Sequence, residues 1–260
     1  MTTTAKGTPR IGLIIIGDEL LSGKRRDKHF AAVIDMLDAR GLELAWARIL
    51  GDDAAVLTEN LRQTFQSGAI VLSCGGIGAT PDDRTRQCAA DALGLPLERH
   101  PDGVAELRAR FGERELSDRR YRLVDFPKGA EIIPNPVNRV PGFSLRDHHF
   151  VPGFPNMAWP MLEWVLDRRY AHLHAPGTRT ELAITVPDAR ESDVIPMMEA
   201  FVERHPDLRL SCLPATHVDR FQLELGLRGP SAGVAEGMEE LRAEVERLGF
   251  GWKPSVKDGD

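Results

Sequence analysis

Cysteine is scarce, with only Cys74, Cys88 and Cys212 among 260 residues. Their number is odd and their spacing matches no metal-ligand pattern. That excludes a disulfide-stapled scaffold and a thiolate metal centre, and fits free thiols in a reducing cytoplasm. An excess of positive charge is also missing. The net charge of −6 argues against a broad nucleic-acid or anionic-membrane surface, though not against a local phosphate pocket. Long apolar runs are missing too. The run 13–16 is far too short to span a bilayer. Residues 1–10 lack the apolar core of a secretion signal, so they read as a flexible tail on a soluble, cytoplasmic protein. No internal repeat is visible.

What the chain does have is size and pattern. At 260 residues, 42% apolar, it can bury sizeable cores, and two domains are expected. Residues 11–16 are apolar and mostly β-branched, as in a parallel strand buried on both faces. Phe30, Val33, Ile34 and Leu37 follow at helical spacing, closed by Gly41. A strand at 42–50 leads through Asp52 and Asp53 to a helix with Val56, Leu57, Leu61 and Phe65 on one face. A strand at 69–72 follows, then a helix at 87–93. This β-α-β-α-β-α order predicts a mostly parallel sheet with helices on both faces.

Between that third strand and its helix lies Ser73-Cys74-Gly75-Gly76-Ile77-Gly78-Ala79-Thr80-Pro81-Asp82-Asp83-Arg84-Thr85. The glycines allow the backbone to approach a ligand and aim N–H groups at it. Donors of that kind attract phosphate, yet Asp82 and Asp83 would repel it. A divalent cation such as Mg²⁺ between phosphate and carboxylates removes the conflict. A purely structural alternative exists: Thr80 as N-cap, Pro81 as first helical residue, Asp83 as capping-box acid. Asp52 and Asp53 are equally good caps. Gly17, Asp18 and Glu19 follow the first strand. With Val151-Pro152-Gly153-Phe154-Pro155, all these loops leave the sheet at the carboxyl ends of strands, where ligands bind in open α/β sheets.

Residues 101–122 read as one charged, solvated helix. The proline-rich stretch 127–154 reads as short strands and tight turns, followed by a helix to about Tyr170. Ala175-Pro176-Gly177-Thr178 is the best linker. Beyond it the pattern restarts as β-α-β-β-α-β. Its pieces are strands at 182–186, 208–213, 221–227 and 250–252, and helices over 194–202 and 234–248. Ser192 or Asp193 caps the first helix. Phe221, Leu223, Leu225 and Leu227 alternate along a strand with one open face. Gly226-Leu227-Arg228-Gly229 matches a G-x-x-G pattern but reads as a strand terminus. The tail 253–260 reads as disordered. His148-His149 would point to opposite faces of a strand, which speaks against a shared metal.

The loops around Gly17 to Gly23, Gly75 to Thr85 and Val151 to Pro155 resemble the motif loops of the MoaB/Mog molybdopterin-binding fold. The closest likeness is to the N-terminal part of the competence/damage-inducible (CinA) branch, whose loop reads GGLGPTxDDxT. The resemblance covers about residues 10–170. It implies a three-layer α/β/α domain over 10–172, followed by a small ferredoxin-like or KH-like α+β domain over 178–254. The amidase domain of many CinA proteins has no counterpart here. The resemblance further implies a role in molybdenum cofactor biosynthesis, with a pterin phosphate or a nucleotide diphosphate as ligand and Mg²⁺ as cofactor. The alternatives are a metal-dependent pyrophosphatase acting on ADP-ribose- or FAD-like nucleotides, and a binding module without catalysis.

By motif, the catalytic aspartates fall on Asp83 and Asp52. The ligand-binding set becomes Gly17, Asp18, Glu19, Gly75, Gly76, Gly78, Thr80, Thr85, Pro152 and Gly153, with Asp82 and Asp83 on the metal. A homo-oligomer, dimer or trimer, is implied as well, with no nucleic-acid or membrane partner. Two positions depart from the pattern: Ala79 replaces proline, and Asp27-Lys28-His29 replaces D-x-N.

Overall fold

A computed structural model describes residues 10–112, 116–214 and 221–255. The polar tail 1–9, Glu113, Arg114 and Glu115 of the charged stretch, and residues 256–260 lie outside the described residues. The chain divides into two compact units, one ending at His174 and the next beginning at Ala175.

The first unit runs β1 (Ile11–Ile16), α1 (Asp18–Leu21), α2 (His29–Asp38), β2 (Leu44–Leu50), α3 (Ala54–Gln66), β3 (Ile70–Cys74), α4 (Thr85–Leu93), β4 (Leu97–Arg99) and α5 (Pro101–Phe111). It continues with α6 (Asp118–Tyr121), β5 (Asp125–Pro127), β6 (Glu131–Ile133), β7 (Gly142–Leu145), β8 (His148–Val151) and α7 (Pro155–Arg169). The main sheet has the order β2-β1-β3-β8-β7-β6. Strands β2, β1, β3 and β8 pair in parallel, and β7 runs against both its neighbours.

The alternation of β1 explains the layers. Leu13 and Ile15 enter a core with Val33 and Leu37 of α2 and Val165 of α7. Ile14 and Ile16 enter a second core with Leu57 and Leu61 of α3 and Ala89 of α4. A strand buried on both faces needs apolar residues at every position, and all six of β1 are buried. Gly12 is the exception that proves a spatial need, since a Cβ there would run into the indole of Trp46 on β2.

Register then sets the site. Ile15 pairs with Cys74, and Cys74 with Val151, so β1, β3 and β8 end side by side. The chain leaves them at Gly17, Gly75 and Pro152. Gly75 N–H donates to Val151 O at 3.0 Å, and Gly17 N–H to Leu50 O at 3.0 Å.

Several local expectations change. The stretch after β1 is a helical turn, α1, and not a loop. Val56 is 47% exposed and leaves the face formed by Leu57 and Leu61. The charged stretch after Pro101 is two helices, because Gly112 ends α5 with φ 70°. His148 and His149 do face opposite ways. His148 Nε2 meets Thr64 Oγ1 at 2.9 Å with its ring stacked on Phe65. His149 bonds Ser144 and Tyr170. Burial drives both imidazoles down to about 3, so they stay neutral.

The second unit runs β9 (Arg179–Pro187), α8 (Glu191–Arg204), β10 (Arg209–Pro214), β11 (Gln222–Pro230), α9 (Ser231–Arg247) and β12 (Lys253–Pro254). Its sheet order is β10-β11-β9-β12, all antiparallel. With two helices on the chain between strands, this is the ferredoxin-like arrangement. Ile184, Phe201, Leu225, Met238 and Leu241 form its core.

The cap of α8 is Arg190, whose N–H the Asp193 carboxylate accepts at 2.9 Å. The closing strand falls three residues later than the alternation suggests and takes in Lys253, expected in the tail. Trp252 instead turns back to donate to Glu246 at 2.8 Å. Gly226 sits inside β11 opposite Ser211 and Ala183, so the G-x-x-G stretch is strand interior and not a terminus.

Candidate functional site

Gly75 and Gly76 carry φ 110° and 67°, the left-handed region that side chains disfavour. Space matters as much as torsion. A Cβ on Gly75 would meet the Ile16 carbonyl, one on Gly76 the Thr85 hydroxyl, and one on Gly78 the Asp83 carboxylate. Thr85 is fully buried and fastens the turn. Its N–H donates to Gly76 O at 3.0 Å and its hydroxyl to Gly75 O at 3.2 Å.

Asp83 closes a local ring. Its Oδ2 accepts the Thr80 N–H at 3.0 Å and the Thr80 hydroxyl. This is half of the capping box anticipated from sequence, but α4 starts only at Thr85, so the ring stands ahead of the helix and does not cap it. Beside Asp83, Asp82 is exposed, and its carboxyl is held below the ordinary range by hydrogen bonding within this turn.

Under this turn lies Arg86, which sequence reasoning missed. It is only 3% exposed. Its guanidinium donates to Gly78 O and to Arg122 O. Burial pulls its pKa down, while Asp83 and Asp125 push it back up. A buried arginine is tolerable only when its donors are used, and here they brace the last glycine of the turn. Nothing in the local pattern distinguishes Arg86 from its exposed neighbour Arg84; only the burial of this helix face does.

A second group forms across α1 and the end of β2. Asp18 N–H donates to Asp52 Oδ2 at 3.0 Å, and Asp52 N–H to Asp18 Oδ1 at 3.1 Å. Asp53, not Asp52, caps α3 by accepting Val56 N–H at 2.9 Å. Asp52 is raised above the usual carboxylate range, first by burial and then by Asp18, Glu19 and Asp82. The structure therefore gathers Asp18, Glu19, Asp52 and Asp82, while Asp83 faces Thr80 and Gly78. Among the described residues, no three His, Cys, Asp or Glu side chains converge as a ready metal cage.

The third loop packs on the first. A Cβ on Gly153 would stand 3.5 Å from Gly75 Cα. His29, at the departure from the D-x-N pattern, is buried and donates from Nε2 to Gly153 O at 3.1 Å. Asp27 accepts the N–H groups of His29 and Phe30, both at 2.9 Å, and so caps α2. Between this corner and α1 opens a pocket of about 350 Å³. Ser73 and Cys74 are buried, with the thiol driven upward by desolvation, so neither is a nucleophile.

Comparison with known proteins follows the same outline. The family model described as a probable molybdopterin binding domain matches residues 12–172. A CinA-like protein of Koribacter versatilis (strain Ellin345) is 42% identical over 132 residues, 50% of this chain and 32% of its own length. A protein of Aeropyrum pernix is 28% identical over 255 residues, 93% of this chain and 95% of that one. The chain spans about a third to a half of the length of the first CinA-like relatives it matches. The crystal structure of CinA from Thermoplasma acidophilum shares the fold, with TM-score 0.56 at 24% identity over 61% of this chain and 96% of that one.

Proposed function

The chain belongs to the molybdopterin-binding domain family, as a CinA-like protein with the MoaB/Mog fold, and from that premise we propose that its first unit binds a phosphorylated pterin or a nucleotide diphosphate with a divalent cation. The observation that supports this most is the juxtaposition at the strand ends. The glycine turn at Gly75 and Gly76 lies beside Gly17 and Gly153, with the acids Asp18, Glu19, Asp52 and Asp82 at the same edge. Backbone N–H groups of Gly76 and Gly78 would meet phosphate oxygens, while Gly75, whose N–H is held by Val151 O, would shape that turn with Thr80, Thr85 and Pro152.

The acidic group fits a cation shared with the ligand. Mg²⁺ commonly uses one or two carboxylates and completes its shell with phosphate oxygens and water. The neighbouring acids Asp18, Glu19 and Asp82 add to the burial that raises Asp52, and such a charge relieves them. Asp52 and Asp82 would hold the metal, and Asp83 would position it through its own ring with Thr80. When bound, the cation neutralises charge at the reacting phosphorus.

The same site serves adenylyl transfer to a pterin phosphate and hydrolysis of a pyrophosphate, which differ in the nucleophile. Incubation with ADP-ribose or FAD and Mg²⁺ or Co²⁺, followed by AMP measurement, separates them. AMP formation that is lost in Asp83→Asn supports the hydrolase. Binding of molybdopterin without turnover supports a carrier. Failure of every phosphate ligand to bind overturns the site.

A further inference from the structure

The pocket between α1, α2 and the Gly153 loop carries charge of the opposite sign to the acids beside it. Arg25, Arg26 and Lys28 line it, together with Glu19, Asp27, His29 and Phe154. Among the described residues, the side chains of these three cations make no hydrogen bond or ion pair. Elsewhere in the same unit, Arg40, Arg99, Arg139 and Arg169 are each paired with a carboxylate.

The acids of the pocket do not answer its cations. Asp27 spends both oxygens on the N–H groups of His29 and Phe30. Glu19 lies back over Gly17, its Oε2 2.5 Å from where a Cβ of that glycine would stand. His29 is 5% exposed, and with Nε2 given to Gly153 its buried Nδ1 is left without a partner. Phe154 is 55% exposed and offers an aromatic face at the pocket wall. The volume, about 350 Å³, suits part of a small ligand.

We propose that this pocket is a second anion subsite, holding a phosphate of the ligand separate from the one at the glycine turn. Guanidinium and ammonium groups without protein partners suit a phosphate oxygen cluster, and an arginine can bind it with two parallel hydrogen bonds. A sugar or base joining the two phosphates would pass along Phe154. The ligand class is then a nucleotide bearing a diphosphate and one further phosphate. This rests on the reading of the glycine turn given above and narrows it.

Calorimetric titration of NAD⁺ and NADP⁺, in the presence of Mg²⁺, tests it. The two share the diphosphate and differ by one ribose phosphate. The wild-type chain is expected to bind NADP⁺ about tenfold more tightly. In Arg25→Ala/Arg26→Ala/Lys28→Ala that preference disappears while NAD⁺ binding persists, with the fold checked by thermal melting. Equal affinities in the wild type, or a preference that survives the triple substitution, overturn the subsite alone. Binding of neither compound overturns the subsite together with the nucleotide-diphosphate reading of the glycine turn.

Discussion

Asp18 and Asp52, thirty-four residues apart, hold one another by the backbone, each carboxylate accepting the other's N–H at 3.0 and 3.1 Å. The pair ties α1 to the end of β2 and brings two negative charges together. Burial and those neighbours raise the Asp52 pKa, so ionisation costs more in the folded chain than in the unfolded one. Stability linked to this group is complete below its unfolded pKa and is lost as pH rises through the raised folded value. Asp52→Asn keeps an oxygen for the Asp18 N–H and removes the charge. Thermal melting at pH 7.5 should show it at least as stable as wild type, by up to about 0.5 kcal/mol given its partial exposure. The advantage should shrink towards pH 4.

Gly75→Ala and Gly23→Ala separate strain from collision. Gly23 has φ 71° and open space around its missing Cβ, so alanine there costs about 1 kcal/mol. Gly75 has φ 110° and the Ile16 carbonyl in the way. Urea unfolding should show about 3 kcal/mol or more lost there. A smaller loss at Gly75 than at Gly23 would contradict the packing described.

Arg86→Met would leave the carbonyls of Gly78 and Arg122 without their donor inside the protein. The expected loss is about 2–4 kcal/mol, and Arg86→Lys should recover only part of it, since one ammonium cannot reproduce the guanidinium fork. Both are read by chemical denaturation. Recovery to the wild-type value in the lysine variant would show that charge alone is required.

The second unit has its own core around Phe201, Leu225 and Leu241 and a complete four-stranded sheet. A fragment of residues 175–260 is expected to unfold as one cooperative transition. A fragment without one, by circular dichroism, would mean that this unit depends on the rest of the chain.

The regular parts were legible because their signals are local. Five apolar side chains around Gly12 made β1, and the β-α-β-β-α-β alternation of the second unit came through the sheet order intact. The site was legible only in its loops. Asp18 and Asp52 are distant in sequence, and only the parallel pairing of β1 with β2 brings them together. Arg25, Arg26 and Lys28 resemble a solvated charge run until His29 pins Gly153 and makes a pocket wall beside them. Arg86 carries no mark in the local sequence, because its burial depends on packing under Gly78. Phe221 fits the alternation of Leu223, Leu225 and Leu227, yet it precedes β11 and lies 58% exposed under Arg190.

The central claim is a cation-dependent phosphate site at the glycine turn. Calorimetric titration of ADP-ribose into the full chain, with Mg²⁺ and then with EDTA, tests it most directly. The account predicts saturable binding with Mg²⁺ that weakens at least about tenfold in EDTA and in Asp52→Asn. Binding unaffected by Mg²⁺ removal and by Asp52→Asn, or no binding at all, would contradict it.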